Sequence, residues 1–256
     1  ATGAGMMDAK KALTEAEGDH EKAIELLRIS GLAKAAKRTD REATNGIVAG
    51  RDGVLIQLAA ETDFVAKNAE FVGLGNQIVD AVAASGAKDL EAAKAAPLGS
   101  TTVQEAVQSL AATIGENLSL VNVVNYDGDT HLYLHRRASD LPPQVGVLVE
   151  YTGGDETLVH QVAMHIAAMN PVYVSRDEVP AEVVENERRI AEATAREEGK
   201  PEGAIPRIIE GRLGGFYKDV VLLDQPAVWE DKKTVGNVLK AAGVEIKRFA
   251  RLAVGA

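Results

Sequence analysis

Asp63 and Phe64 stand side by side in Glu61-Thr62-Asp63-Phe64-Val65-Ala66-Lys67-Asn68, a carboxylate next to a large ring between a strand pattern and a helix pattern. Two chemistries fit the pair. On a loop, the ring inserts into a partner while the acid competes there for polar or cationic contacts. In a packed body, Phe64 is a core anchor and Asp63 a helix N-cap. Met6 and Met7 carry the same two readings, an adaptable apolar contact or ordinary helix packing.

Covalent and nucleotide chemistry find no comparable support. There is no G-x-x-x-x-G-K-[ST] phosphate loop, and Gly3-Ala4-Gly5 follows no strand and lacks a suitably placed third glycine. No Gly-x-Ser-x-Gly elbow occurs, and Asp8, Glu61 and Asp63 show no acid–base arrangement. His131 and His135 share one face of a strand pattern, and His160 and His165 lie five apart on a helix pattern. Neither pair brings a third ligand, so both read as satisfied or exposed histidines. The sequence therefore predicts no catalytic residue, no metal and no cofactor.

Composition narrows the class further. Across 256 residues, 28 Lys and Arg stand against 38 Asp and Glu, a net charge of −10 that repels phosphate backbones and argues against direct nucleic-acid binding. Cysteine is absent, which excludes thiolate chemistry and fits a reducing cytoplasmic setting. No apolar run approaches the roughly 20 residues of a membrane helix. Aromatic residues make up only 4%, so the core must be Val, Leu, Ile and Ala packed closely.

The elements that must position these residues are small helices on small antiparallel sheets, an α+β chain. A helical hairpin is expected from Met6 to Ser30, its second helix capped by Asp19 and ending at Gly31. Because the chain opens at Ala1-Thr2-Gly3-Ala4-Gly5, a further preceding helix is expected. Lys34, Lys37, Arg38 and Arg41 follow as a helical linker or a basic contact strip. A β-hairpin turns at Asp52-Gly53, between Ile47-Val48-Ala49 and Val54 to Leu58. Phe71, Leu74, Ile78 and Val82 have helical spacing, and another helix covers Val103 to Ile114. Strands are expected at Leu118 to Tyr126, Thr130 to His135 and Val145 to Tyr151. Ser175-Arg176-Asp177-Glu178 reads as a capping box opening a helical hairpin that is broken at Gly199-Lys200-Pro201 and runs to Phe216. Strands at Val220 to Leu223 and Val244 to Val254, with a helix from Thr234 to Ala242 between them, complete the second sheet.

The strand and helix recur. Gly53-Val54-Leu55-Ile56-Gln57-Leu58 parallels Gly146-Val147-Leu148-Val149-Glu150-Tyr151, and the stretch from Gln77 to Ala84 parallels that from Gln161 to Ala168. The first copy carries nine extra residues between the two motifs, around Thr62 to Asn68. An enlarged connection in one of two similar units is a better functional candidate than either scaffold.

Thr2-Gly3-Ala4-Gly5-Met6-Met7-Asp8, with Lys10-Lys11-Ala12-Leu13, resembles the amino-terminal signature of the elongation factor Ts family, and the Glu61 to Asn68 segment resembles its second signature. Ile114-Gly115-Glu116-Asn117, the Gly146 to Val149 strand, Gly199-Lys200-Pro201, Glu210-Gly211-Arg212 and Lys233-Thr234-Val235 continue the resemblance in order. It implies a nucleotide-exchange factor for elongation factor Tu with no active site of its own. The Asp63-Phe64 pair would act as a wedge near the magnesium and phosphate region of Tu. Met6, Met7, Lys10, Ile114, Gly115 and His135 would be further contacts. The implied architecture is a helical module over 1–41 similar to ubiquitin-associated domains, a core of two related halves over 42–128 and over 129–170 with 222–256, and a helical hairpin over 171–221. That hairpin leaves a homodimer or a 2:2 complex open. A non-exchanging docking or chaperone module for Tu is the alternative. Val121-Asn122 and Leu58-Ala59-Ala60 depart from the family pattern.

Overall fold

A computed structural model describes residues 4–51 and 53–255, so Thr2 and Gly3 of the first motif and Asp52 of the Asp-Gly turn lie outside the described residues. In chain order the first elements are α1 (Met6–Glu15), α2 (His20–Ala36), β1 (Asn45–Arg51), β2 (Val54–Ala60), α3 (Asp63–Ala66), α4 (Ala69–Ser85) and α5 (Leu90–Ala95). Next come β3 (Pro97–Leu98), β4 (Thr101–Thr102), α6 (Val103–Ile114), β5 (Ser119–Asn125), β6 (Thr130–His135), β7 (Val145–Thr152) and α7 (Glu156–Met169). The last are α8 (Ala181–Glu197), α9 (Ile205–Val220), α10 (Val235–Ala242) and β8 (Glu245–Ala253). The α+β mixture of helices and antiparallel strands agrees with the sequence reading. The chain divides into two compact units, one of Ala1–Asp127, Leu134–Leu148 and Leu252–Ala256, the other of Gly128–Tyr133 and Val149–Arg251.

In the first unit, β2 is the central strand of a three-stranded sheet of order β1-β2-β5, antiparallel to both neighbours. Ile47, Ile56 and Leu58 are buried on it, and Phe71, Leu74, Ile78 and Val82 of α4 close over the sheet. Asn68 starts α4 by accepting from the Glu70 and Phe71 N–H groups at 2.8 and 3.3 Å. The register slips between Gln57 and Leu58, which leaves Val121 as the extra residue of β5. Asn122, the other half of that departure from the family pattern, donates to Gln57 Oε1 at 2.8 Å.

α1 and α2 pack through Ala12, Ala16 and Ala23, with Leu13, Leu26 and Leu27 against them. α2 does not stop at Gly31 but runs to Ala36 and lies against α6. At that crossing a Cβ on residue 31 would sit 3.1 Å from Ala112 Cβ, so the glycine permits close helix approach instead of ending the helix. The Lys34–Asp8 pair, at 2.9 Å, ties α2 to α1.

The second sheet has the order β6-β7-β8. In the second unit, α7 buries Leu158, Val159, Val162, Ala163, His165 and Ile166. α8 and α9 form the expected hairpin around Ala191, Ala195, Ile205, Ile209 and Leu213, and Arg212 clasps Glu198 through both carboxylate oxygens at 2.9 and 2.8 Å.

Two expectations here are corrected. The Ser175 capping box does not form: Ser175 makes no side-chain cap, Glu178 accepts from the Val174 N–H at 2.8 Å, and residues 176–178 are a single 3-10 turn. Pro180 imposes extended backbone on Val179, which delays α8 to Ala181. Nor is Val220 to Leu223 a strand. α9 carries through Val220 and a 3-10 turn follows at Leu222–Asp224, with one parallel bridge between Tyr173 and Val221.

The enlarged connection is present as an element. Eight residues, 61–68, join β2 to α4, whereas three, 153–155, join β7 to α7. Five of the nine extra positions therefore fall in the connector, three lengthen the start of α4, and one extends the strand. Within the connector sits α3.

Candidate functional site

α3 is one turn long, too short to hold itself by its own hydrogen bonds, so its order must come from caps and packing. Thr62 is its N-cap, in extended conformation, with the hydroxyl oxygen accepting from the Val65 N–H at 3.3 Å. Val65 and Ala66 turn inward at 9% and 1% exposure, and α3 contacts β1 and β2. Phe64 turns outward at 80% exposure. The core-anchor reading of Phe64 is thereby overturned. Asp63 is the first helical residue and not the cap, because Thr62 occupies that place; its side chain is half-exposed beside Lys67 Nζ at 3.6 Å.

Two carboxylates tie this connector to the end of α6, Glu116 from outside it and Glu61 from within it. Glu116 accepts from the Thr62 N–H at 3.1 Å and from the Thr62 hydroxyl at 2.7 Å. In return Glu61 accepts from the Asn117 N–H at 2.6 Å. Arg41 lies 3.5 Å from the same Glu61 oxygen, and the Asn117 amide donates to the carbonyls of Thr39 and Arg41 at 3.3 and 2.7 Å. Gly115 ends α6 with a φ of +87°, a left-handed cap that a side chain would strain, and this turns Glu116 back toward the connector. On the other flank Lys67 donates to Asp140 at 2.7 Å. That bond to Asp140 raises the Lys67 ammonium above its ordinary value and holds the Asp140 carboxyl below the usual range.

The clasp thus brings Asp63 and Phe64 into one assembly with Ile114 and Gly115. Met6, Met7 and Lys10 stand exposed on α1, joined to α6 through α2, with Met6 at 87% and Met7 at 79% exposure. A recess of about 560 Å³ opens beside Gly115, bordered by Leu27, Arg28, Lys34, Arg38 and Glu70. His135 closes β6, its carbonyl accepting from the Gln144 N–H at 2.9 Å. Glu116 and Asp140 escaped notice as functional groups because their partners lie 54 and 73 residues away in sequence.

The histidines regroup. His131 Nε2 and His160 Nδ1 meet at 2.9 Å, with Tyr133 edge-on to His160, while His165 is fully buried, bonded to Gln225 Oε1 at 2.8 Å and edge-on to Trp229. Among the described residues, no group of three or more histidines and carboxylates is placed to hold a metal. Burial pushes both His165 and His131 below the ordinary imidazole value, and neighbouring His160 adds to the shift of His131. The unfolded chain takes up these protons near pH ~6.5 while the folded chain resists them, so stability present above that pH is lost as pH falls. The thermal midpoint is expected to drop between about pH 7 and pH 5, with His131→Asn flattening the slope. A midpoint level across that interval would contradict this.

An outward ring beside a half-exposed carboxylate, on a helical turn fixed at both flanks, has the chemistry of a contact surface. The comparisons with known proteins bear on what kind. Residues 61–256 match the family model described as Elongation factor TS, which places the chain among translation elongation factors. Proteins named Elongation factor Ts are 59% identical in Cutibacterium acnes, over 100% of this chain and 95% of the relative, and 59% identical in Mycolicibacterium vanbaalenii, over 99% and 94%. The relative from Saccharopolyspora erythraea is 58% identical over 99% and 94%. The chain belongs to the elongation factor Ts family. No described helix is long and apolar enough to cross a membrane.

Proposed function

We propose that the chain is a guanine-nucleotide exchange factor for elongation factor Tu, acting in the cytoplasm without an active site of its own. Asp63 and Phe64 form the wedge: the ring enters the nucleotide domain of Tu near its magnesium and phosphate region, and the carboxylate competes for the polar and cationic contacts there. Met6, Met7 and Lys10 on α1, Ile114 and Gly115 at the end of α6, and His135 supply the surrounding contacts. The helical module over 1–41 docks, the core over 42–128 and over 129–170 with 222–256 carries the wedge, and the hairpin over 171–221 is a separate attachment.

What supports this reading is the exposure of Phe64 in a segment whose neighbours Val65 and Ala66 are buried. The backbone that carries the exposed ring is already ordered, so insertion into a partner costs the rotamer freedom of one side chain and little further backbone entropy. Release of GDP then follows by linkage. A factor that binds nucleotide-free Tu more tightly than GDP-bound Tu weakens GDP by the same factor, typically about 5- to 150-fold for couplings of about 1–3 kcal/mol. Acceleration passes through a ternary complex in which factor and GDP are both bound.

The test is stopped-flow loss of a fluorescent GDP from Tu, with this chain in catalytic amounts and unlabelled GDP in excess. Faster release at substoichiometric chain is the expected result. Tight binding to Tu with no faster release overturns exchange in favour of the docking or chaperone module.

A further inference from the structure

The Thr62 hydroxyl is used twice. Its proton goes to Glu116 Oε1 at 2.7 Å and its oxygen accepts from the Val65 N–H at 3.3 Å. A serine or threonine hydroxyl rotates freely unless something fixes it. Here the Glu116 carboxylate takes the proton and also binds the Thr62 N–H, so the hydroxyl lone pairs are left aimed at the first turn of α3. These are charge-assisted bonds, the stronger kind. The reciprocal bond from the Asn117 N–H to Glu61 fixes the other side of the same junction. Glu116 itself follows the left-handed Gly115 at the end of a three-turn helix, a firm point from which to reach the connector.

We infer that Glu116 is a positioning residue for nucleotide exchange: acting through Thr62, it pre-orders α3 so that Asp63 and Phe64 meet the partner already oriented. The inference rests on the exchange reading above. Glu116 makes no bond to the wedge pair itself; its two bonds end on Thr62, one residue before Asp63. A chain lacking the clasp still has Val65 and Ala66 to seat α3, but its first turn must be ordered during insertion. That cost falls on the step in which the ring enters and not on the initial docking, so it appears in the maximal exchange rate more than in the half-saturating concentration.

The experiment is a cycle of Glu116→Ala and Phe64→Ala, singly and together, read by the maximal rate of GDP release from Tu. Amide hydrogen exchange of the free protein at Thr62 and Val65 accompanies it. Glu116→Ala is expected to speed exchange at both amides about tenfold, the factor for one charged hydrogen bond worth about 1.4 kcal/mol. It should lower the maximal rate of GDP release about tenfold while shifting the half-saturating concentration less than about threefold. In the Phe64→Ala background the same change should matter less than about twofold, because a residue that acts through the ring has nothing left to position. Equal losses in both backgrounds, or undiminished release by Glu116→Ala, overturn the inference, as do unchanged Thr62 and Val65 amides. Full release by Phe64→Ala alone instead overturns the wedge reading, a result separable from the amide measurement. If Glu116→Ala does not fold, Glu116→Gln replaces it: this variant keeps the shape but loses the charge and turns an amide donor toward one of the Thr62 donors, with the same outcomes expected.

Discussion

Phe64→Ala is expected to slow GDP release from elongation factor Tu by roughly 30-fold or more while leaving stability within about 0.5 kcal/mol of the parent. The two numbers come from opposite sides of one side chain. At 80% exposure the ring contributes little to the core of the free protein, so its removal leaves no cavity and breaks no packing. An aromatic anchor at the centre of an interface, by contrast, commonly carries about 2 kcal/mol or more, which is the 30-fold. Stopped-flow release and thermal unfolding of the same preparation check both halves. A variant that loses stability but exchanges normally would return Phe64 to a structural role. A variant altered in neither would remove it from the account.

The elements were legible where one face of a segment is buried. Phe71, Leu74, Ile78 and Val82 announce α4 by their spacing, and the short β-rich run from Val54 to Leu58 after an Asp-Gly turn announces β2, a central strand buried on both faces. Gly31 misled for a physical reason: a glycine ends a helix when it adopts left-handed backbone, but it also serves where two helices must touch, and only the packing of α2 on α6 distinguishes the cases. Ser175 misled because Pro180, five residues on, decides where α8 can begin. The two-residue strands β3 and β4 and the one-turn α3 are too short to show a period. At the candidate site, the Asp63-Phe64 pair was visible as a choice between anchor and wedge. Exposure removes the anchor reading, and exposure is a property of the whole fold. The clasp by Glu116 was not visible at all, since nothing in the order of residues says that position 116 faces position 62.

Phe71→Ala is the complement, and the largest stability effect expected at a single position near the site. Phe71 is fully buried between α4 and the sheet, in the cluster that includes Ile47, Ile56, Leu58, Leu74 and Ile78. Truncating a buried phenylalanine removes its transfer free energy and leaves a cavity, together about 3–5 kcal/mol. In a chain of this size that lowers the thermal midpoint by on the order of 10 °C. Calorimetry or denaturant titration reads the loss directly. The consequence for exchange is the sharper question, because Phe71 and Phe64 are seven residues apart and serve opposite masters. The Asn68 cap begins α4 as an element separate from α3, whose order comes from the Thr62 cap, the clasp of Glu116 and the buried Val65 and Ala66. At a temperature well below its lowered midpoint, Phe71→Ala should therefore retain exchange within about threefold of the parent, since the Thr62 cap and the Glu116 clasp remain and only the cluster that Val65 shares with Phe71 is loosened. Exchange abolished in a variant that is still folded would mean that α3 takes its orientation from the core beneath α4, and that the caps and the clasp are secondary. The pair of substitutions thus asks where the orientation of the wedge is stored, in the packing under the connector or in the hydrogen bonds at its ends.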